Sequence, residues 1–281
     1  MILVAGSANL DFVVRAARIP APGETVLGHD FQTFPGGKGA NQAVACARAG
    51  GAATQMLLAL GNDEFAAPVQ ASLRDAGVRL QVVRVIGAPT GTAFICVSDD
   101  AENAITVAPG ANALLRPGDL PALAGVTHLL LQLETPLETV TAFALAAHAA
   151  GVTVVLNAAP ARALPAELLA AVDILVVNEG ELAAIAGMPV GSAAELDAAL
   201  ARIGVGCVIV TLGARGCRAR DAGVRIDQAG FPVDAVDTTA AGDTFCGALV
   251  ASLVTSDGSL LDHLTAANAA AAHHVSQPIA E

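Results

Sequence analysis

The middle of the chain alternates short, continuous apolar runs with longer stretches of helical character. Apolar runs that are separated by helices are typical of a parallel sheet with helices on both faces. The predicted strands cover residues 128–133, 152–156, 173–177 and 207–210, and the predicted helices cover 137–149, 165–171, 179–186 and 193–203. The pattern therefore predicts an α/β fold with a mostly parallel central sheet.

A polar residue follows each predicted strand directly. These residues are Glu134, Asn157, Asn178 and Thr211, and the apolar start of the chain leads likewise to Asn9 and Asp11. Ligands bind beyond the carboxyl ends of the strands in open α/β sheets, so these side chains predict one binding site at that edge. The alternative is that strand ends are polar because the loops after them are exposed.

One predicted helix has a clear start signal in its first residues. Thr135 is placed to cap the helix at 137–149, Pro136 to occupy its first position and Glu138 to complete a capping box.

Two segments, at about 12–35 and 90–108, lack a helical period and contain short alternating pieces such as 93–97 and 104–107. Alternation of this kind predicts half-buried strands, so we expect a small β-rich lid beside the α/β core. A lid over a sheet edge excludes water from the site below it. Its apolar faces also predict a homodimer formed through the lid.

Composition narrows the possible classes of protein. The 281 residues are 54% hydrophobic but only 3% aromatic, and no apolar run reaches the ~18 residues of a membrane span. The formal net charge of −12 argues against nucleic acid and anionic membranes as partners. Five scattered cysteines without a paired motif, and a first segment unlike a signal peptide, predict a cytoplasmic protein with one domain over 1–281.

The segment 237–245 is the most informative stretch of the chain. It follows a strand-like run at 231–236 and opens a predicted helix at about 244–253. The small residues Ala240, Ala241 and Gly242 leave backbone N–H groups free to bind an anion at a helix N-terminus. Asp243 is then placed to act as a base toward an attacking hydroxyl. The alternative is an ordinary helix-start aspartate.

A second glycine-rich segment, 36–41, joins the lid to a helix that runs to about Arg48. It is not a phosphate-binding loop of the Walker type, because Gly39 follows Lys38, and the chain has no dinucleotide fingerprint after its first strand. What remains is a turn that lets the backbone approach a ligand, with Lys38 and Asn41 as polar groups. A plain glycine turn is the alternative.

The motifs occur in the order Asn9-x-Asp11, 36–43, 132–134, Asn178-x-x-Glu181, 211–216 and 237–245. In this order they resemble the ribokinase-like carbohydrate kinases over nearly the whole chain. The resemblance implies a three-layer α/β/α core, with ATP and Mg²⁺ as cofactors. The implied reaction is ATP-dependent phosphorylation of a small-molecule sugar, with D-ribose expected as the acceptor and D-ribose 5-phosphate as the product.

The resemblance also implies roles for individual residues. Asp243 would be the catalytic base, and the amides of Ala240, Ala241 and Gly242 would form an anion hole. The sugar would be bound by Asn9, Asp11, Gly37, Lys38, Asn41, Glu134 and Asp243. The nucleotide would be bound by Asn178, Thr211, Gly213, Gly216, Gly242 and Asn268, and Glu181 would hold Mg²⁺ through water. Glu181 as a solvent-facing helix residue and Asn268 as a packed polar residue are the alternatives.

The resemblance also implies a site for a monovalent cation, of which the sequence shows one half. Asp237 and Thr239 would supply half of a potassium site, whereas the C-terminal loop at 275–279 that would supply the other half looks shortened. Two other functions stay open: a kinase of another sugar or a nucleoside, such as fructose or adenosine, and a non-catalytic sugar-binding protein. A nicotinamide-dependent dehydrogenase is improbable because its phosphate-binding fingerprint is missing.

Overall fold

The computed structural model describes residues 1–100 and 102–277. The strands are β1 (Ile2–Ala5), β2 (Asn9–Ala16), β3 (Gly28–Gly36), β4 (Thr54–Leu60), β5 (Arg79–Arg84), β6 (Gly91–Ser98), β7 (Asn103–Ala108), β8 (His128–Leu131), β9 (Thr153–Asn157), β10 (Ile174–Asn178), β11 (Cys207–Thr211), β12 (Gly216–Asp221) and β13 (Val224–Ala229).

The helices alternate with these strands along the chain. They are α1 (Lys38–Arg48), α2 (Ala66–Asp75), α3 (Leu137–Ala149), α4 (Ala166–Ala170), α5 (Glu179–Ala186), α6 (Ala193–Arg202), α7 (Ala241–Thr255) and α8 (Leu260–Val275). Across the described ranges, none of them is long and apolar enough to cross a bilayer.

The central sheet has the strand order β13-β12-β11-β10-β9-β8-β1-β4-β5. The pairs from β11 to β5 are parallel, and β12 and β13 add an antiparallel edge. Successive residues of a strand point to opposite faces, so Leu3 and Ala5 join the core cluster under α3 to α6, while Ile2 and Val4 join the cluster under α1, α2, α7 and α8. This three-layer arrangement confirms the predicted α/β class and its mostly parallel sheet.

The segment at 231–236 is not a strand, contrary to our prediction. The last strand ends at Ala229, and residues 231–236 run exposed and without regular structure toward α7. Pro232 lies inside this segment, and proline cannot donate to a strand ladder. The segment is held instead by the Val236 N–H, which donates to the Val275 carbonyl at 2.7 Å.

The predicted capping box at Thr135 is also wrong. Helix α3 begins at Leu137 with Pro136 in the capping position, and no side chain caps it. The start is one residue later than predicted, so Glu138 occupies the second helical position, where it cannot complete the box. A capping box does form at α5, between Asn178 and Glu181.

A second, smaller sheet has the strand order β3-β2-β6-β7, with β2 and β6 parallel and the outer pairs antiparallel. The strands β6 and β7 lie inside the segment 90–108, whereas β2 begins three residues before the segment 12–35 and β3 ends one residue after it. The first of them, β2, begins at Asn9, four residues after β1 ends, and β3 ends at Gly36, next to α1. The small sheet is therefore anchored at the carboxyl edge of the central sheet.

Helices α1 and α7 approach each other unusually closely at Gly247. A Cβ built there would lie 2.4 Å from the Ala45 Cβ and 2.6 Å from the Gln42 carbonyl oxygen. Contacts this short exclude any side chain, because protein interiors are already close-packed. The close approach brings polar side chains near the start of α1 within reach of the first turn of α7.

Candidate active site

A cleft of about 160 Å³ opens at the carboxyl edge of the central sheet. It lies between the ends of β9, β10 and β11 and the first turns of α1, α5 and α7. Its lining residues are Lys38, Asn157, Ala159, Val176, Val177, Asn178, Glu181, Thr211, Thr238, Ala240, Ala241, Gly242, Asp243 and Cys246. The strand-end residues Asn157, Asn178 and Thr211 are thus brought together as predicted, whereas Glu134, Asn9 and Asp11 are not among the lining residues.

Asp243 lies in the first turn of α7 and is 7% exposed. One carboxylate oxygen accepts from the Asn41 Nδ2 at 3.2 Å and the other accepts from the Gln42 Nε2 at 2.9 Å. Burial raises the pKa of Asp243, while the Lys38 charge and the two amide hydrogen bonds oppose that rise. Both oxygens are held as acceptors, which is the state that a proton-accepting base requires.

The start of α7 presents backbone donors beside this carboxylate. Ala240 adopts a left-handed conformation with φ of 56°, which is costly for a residue with a Cβ. The Ala241 N–H donates to the Thr238 carbonyl at 3.3 Å. The Gly242 and Asp243 amides lie in the first helical turn, where no acceptor exists inside the helix. This turn therefore has backbone donors and a positive dipole end that suit an anion.

Lys38 is the cation of the site. Burial disfavours its charge, but the nearby carboxylates of Asp243, Glu134 and Glu181 outweigh this effect, and the pKa of Lys38 is raised. Lys38 therefore stays charged and offsets part of the repulsion among the carboxylates around it.

Glu134 connects the loop after β8 to the start of α1. Its Oε2 accepts from the Ser7 Oγ at 2.6 Å and from the Lys38 backbone N–H at 3.1 Å. Gly37 makes this approach possible, because its φ is 91° and a Cβ there would lie 2.9 Å from the Ala8 Cα. The glycine-rich segment therefore brings the backbone close to the loop after β1, and its predicted approach to a ligand stays a prediction.

Asp11 and Asn9 lie on β2, at the border between the two sheets. The Asn9 side chain accepts from the Asn112 Nδ2 at 2.8 Å. Within residues 1–100 and 102–277, the buried Oδ1 of Asp11 has no hydrogen-bond partner. Burial, and then repulsion from Glu134 and Asp243, raises the pKa of Asp11 from 3.8 to about 7. An unpaired buried acceptor beside the cleft is a site for a hydroxyl donor.

Asn178 and Glu181 form the reciprocal capping box of α5. The Asn178 Oδ1 accepts from the Glu181 N–H and the Glu181 Oε2 accepts from the Asn178 N–H, each at 2.8 Å. Burial raises the pKa of Glu181, against the Asn178 hydrogen bond and the Lys38 charge. Glu181 is 8% exposed, so it is not a solvent-facing helix residue.

Three residues predicted to bind nucleotide do not line this cleft. Gly213 and Gly216 form the turn between β11 and β12 with φ of 58° and 94°, and a Cβ at Gly216 would lie 2.1 Å from the Gln228 carbonyl oxygen. Asn268 is buried on α8 and donates to the Cys217 Sγ and the Leu264 carbonyl. Thr211 lines the cleft at the end of β11.

Asp237 and Thr239 form a tight turn before α7. The Asp237 Oδ1 accepts from the Thr239 N–H, and the Thr239 carbonyl lies 2.7 Å from the His274 Nε2. Among the described residues no cluster of three or more His, Cys, Asp or Glu side chains forms a metal site. Residues 275–277 of the predicted loop are described, and Pro278 and Ile279 lie outside the described residues.

Sequence reasoning missed the residues that support this site from behind. Ser7 holds Glu134, Asn112 holds Asn9, and a buried Gln42–Gln132 pair lies behind Asp243. Gln42 and Gln132 stand inside the recognised motifs, so their positions gave a signal. Their partners could not be predicted, because each hydrogen bond joins residues about 90 or more positions apart.

The family model of the pfkB family carbohydrate kinases matches residues 1–280. The chain belongs to this family of kinases. Its similarity extends to individual relatives. The chain is 38% identical over 262 residues to the ribokinase of Haemophilus influenzae, covering 90% of this chain and 85% of that protein. It is 37% identical over 278 residues to the ribokinase of Staphylococcus aureus, covering 96% and 91%.

Solved structures of pfkB carbohydrate kinases agree with the fold of this chain. The structure of Arabidopsis thaliana ribokinase complexed with ribose and ATP has a TM-score of 0.90 at 35% identity, covering 99% of this chain and 93% of that one. A ribokinase from Cryptococcus neoformans in complex with ADP has a TM-score of 0.84 at 35% identity, with coverage of 99% and 94%. The predicted ribokinase-like fold class is therefore confirmed.

The raised pKa of Asp11 predicts a pH-dependent effect on stability. Between pH 3.8 and about pH 7, the folded protein holds a proton on Asp11 that the unfolded chain releases. The unfolding free energy therefore falls as the pH rises through this range. Asp11→Asn removes this proton. We expect the unfolding free energy of the variant, relative to that of the unmodified protein, to be roughly 1–2 kcal/mol higher at pH 8 than at pH 5.

Urea unfolding at the two pH values measures this gain. Asp30→Asn, at an exposed position on β3, is the control for the substitution itself. A difference between Asp11→Asn and the unmodified protein that stays constant from pH 5 to pH 8 would contradict the assignment.

Proposed function

We propose that the protein transfers the γ-phosphoryl group of ATP to the 5-hydroxyl of D-ribose, forming D-ribose 5-phosphate and ADP. The observation that carries the proposal is the position of Asp243. A buried carboxylate, both of whose oxygens accept hydrogen bonds, lies at a helix N-terminus that suits an anion. The similarity to proteins named ribokinase supports ribose as the acceptor.

The reacting atoms follow a single displacement. The sugar hydroxyl oxygen bonds to the γ-phosphorus, the bond from that phosphorus to the β,γ-bridging oxygen breaks, and the hydroxyl proton passes to the Asp243 carboxylate. The Gly242 and Asp243 amides are positioned for the charge that spreads over the transferring group. Donors of this kind contribute about 3–4 kcal/mol each in comparable anion holes.

The polyol end of the site would be formed by Asn9, Asp11, Lys38, Asn41 and Glu134. Carboxylates accept from sugar hydroxyls, and amides and ammonium groups donate to them. The unpaired Oδ1 of Asp11 supports this assignment, because a bound hydroxyl would satisfy it. Gly37 contributes by letting the start of α1 lie against Ala8.

The nucleotide end would be formed by Asn178, Thr211 and Gly242, which line the same cleft. Gly213 and Gly216, in the turn between β11 and β12, and Asn268, on α8, would contact the part of the nucleotide that lies outside the cleft. Their hydrogen bonds and close contacts explain why these residues also serve the fold.

Mg²⁺ would neutralise phosphate charge when bound, and the residues present fit it. Glu181 offers a partly free carboxylate at the cleft, since only its Oε2 takes part in the capping box. Mg²⁺ keeps several waters and needs few protein ligands, so one carboxylate with Asn178 beside it suffices. Asp237 and Thr239 supply oxygen atoms for a potassium ion, although one Asp237 oxygen already accepts from the Thr239 N–H.

The small sheet would act as a lid within a single domain spanning residues 1–281. Asp11 lies on β2, so closure of the sheet over the cleft would bring a sugar ligand and Asp243 together and exclude water. The free cysteines, four of which are buried, support a reducing compartment such as the cytoplasm.

The lid would also form a homodimer interface. Val14, Phe31 and Phe94 lie on one face of the small sheet and are 36%, 61% and 54% exposed, and a contiguous apolar surface of this kind marks an interaction site. A second copy of the chain is the occupant that fits best, because both partners would bury the same apolar strands. The charge of −12 disfavours nucleic acid and anionic membranes as occupants.

The proposed reaction predicts ribose-dependent ADP release. With Mg-ATP, we expect turnover with ribose to exceed that with fructose, 2-deoxyribose, adenosine or no sugar by at least about tenfold. Asp243→Asn should fold normally and lose turnover by roughly 10²–10⁴-fold, because it cannot take the proton. A coupled assay for ADP measures both, and circular dichroism checks the fold.

Three outcomes of this assay would contradict parts of the proposal. Fructose or adenosine turnover without ribose turnover would overturn the substrate, and silence with every acceptor would favour a sugar-binding protein. Near-normal turnover of Asp243→Asn would overturn the base. Equal rates with potassium and with tetramethylammonium would exclude potassium activation.

The lid interface predicts a dimer at micromolar concentration in size-exclusion chromatography with light scattering. Phe94→Glu should shift the protein toward monomer, because it places a charge in an apolar interface. Leu261→Glu, at a 44% exposed position on α8, is the matched control and should leave the dimer intact. A monomeric unmodified protein, or dissociation by the control variant alone, would exclude the lid interface.

A further inference from the structure

Gln42 is a fully buried polar residue that the proposed mechanism does not yet use. It lies on α1 and contacts three elements at once. Its Nε2 donates to the Asp243 Oδ1 at 2.9 Å and to the Asn157 Oδ1 at 3.0 Å, and its Oε1 accepts from the Gln132 Nε2 at 2.6 Å. A buried side chain with this number of hydrogen bonds orders the groups that it touches.

The Asp243 carboxylate determines which group donates and which accepts in each hydrogen bond that joins Asp243, Gln42 and Gln132. An ionised carboxylate only accepts, so Gln42 must turn its NH₂ group toward Asp243 and its carbonyl oxygen away. Gln132 must then turn its own NH₂ group toward Gln42. This leaves the Gln132 Oε1 without a partner in the described structure, buried against Gly6. The Gln132 Oε1 stays unpaired because the Gln42 NH₂ group is directed toward Asp243 and Asn157 and cannot donate to it.

The backbone is built to bring Gln42 to this position. Gly247 lets α1 and α7 approach until a Cβ at Gly247 would lie 2.6 Å from the Gln42 carbonyl oxygen. Asn157, the second acceptor, is held in turn, because its Nδ2 donates to the Val176 carbonyl at 3.2 Å. Gln42 therefore ties the first turn of α7 to the end of β9.

We propose that Gln42 is a positioning residue, which directs the Asp243 carboxylate into the cleft and keeps it a hydrogen-bond acceptor. The proposal rests on the proposed function, in which Asp243 is the base. Gln42 is fully buried behind Asp243 and would not touch the sugar, so it acts only through Asp243. Asn41 holds the other oxygen, which leaves Gln42 as the donor that enters from the buried side.

The charged groups around Asp243 set the background for this effect. Lys38 on α1 favours the ionised carboxylate, whereas Glu134 after β8, Asp11 on β2 and Glu181 on α5 disfavour it, and the Cys246 thiol lies on α7 itself. Lys38 is the one cation among these groups. The other groups would therefore not replace the Gln42 amide in stabilising the ionised Asp243 carboxylate. The pKa of Asp243 should therefore rise when Gln42 is replaced.

Gln42→Leu tests the proposal, because it keeps the side chain large and removes both donors. We expect kcat to fall about 10–100-fold, as outer partners of catalytic groups do elsewhere, while KM for the sugar changes less than about threefold. In the plot of kcat against pH, the acidic limb should move to higher pH by about one unit. If Gln42 had a purely structural role, Gln42→Leu would lower the amount of folded protein and leave the acidic limb of the kcat profile at the same pH.

Gln70→Leu is the matched control. Gln70 is also buried on a helix, and its Nε2 donates to the Ala66 carbonyl far from the cleft. It should leave the pH profile unchanged. If Gln42→Leu does not fold, Gln42→Glu replaces it, since Glu keeps the shape and still accepts from Gln132. A second carboxylate beside Asp243 should move the acidic limb in the same direction.

Carbon-13 NMR titration of labelled aspartate carboxyls, with Asp243→Asn for assignment, gives a readout that needs no activity. The expected result is a higher Asp243 pKa in the Gln42 variant than in the unmodified protein. An inactive unmodified protein with that shift would overturn the proposed function and leave the Gln42 assignment standing. An active protein in which neither the titration nor kcat responds to Gln42 would overturn the positioning role.

Discussion

The structure depends on keeping one carboxylate, Asp243, buried and still available as an acceptor. Burial favours the protonated acid, which cannot act as a base. Two amide donors from neighbouring positions of α1 and the Lys38 charge oppose that tendency. These groups reach Asp243 only because α1 and α7 approach without a side chain at Gly247. A packing constraint between two helices thus sets the chemistry at the edge of the sheet.

The same edge concentrates negative charge that only a ligand would relieve. Asp243, Glu134 and Glu181 surround Lys38, and a buried oxygen of Asp11 has no hydrogen-bond partner among the described residues. Such an arrangement is unfavourable for stability and favourable for binding, because the polyol of the proposed function would supply the missing donors. Local strain agrees with this view, since Ala240 holds a left-handed conformation where the start of α7 meets the cleft.

Much of the fold could be predicted from the sequence, because continuous apolar runs and helical stretches alternate regularly. Strand ends were predicted within one or two residues, and three of the polar strand-end residues, Asn157, Asn178 and Thr211, line the cleft. Two local predictions were wrong: an apolar run containing Pro232 is not a strand, and Thr135 caps nothing. Gln42 and Ser7 could not be assigned, because their partners lie far away in sequence and meet only after the sheet forms.

A crystal structure with D-ribose and a non-hydrolysable ATP analogue tests the central claim most directly. We expect the 5-hydroxyl of ribose about 2.6–3.2 Å from an Asp243 oxygen and in line with the terminal phosphate. A second ribose hydroxyl should donate to the free Oδ1 of Asp11. Ribose bound at this edge with its 5-hydroxyl directed away from Asp243, or ribose bound elsewhere, would contradict the account.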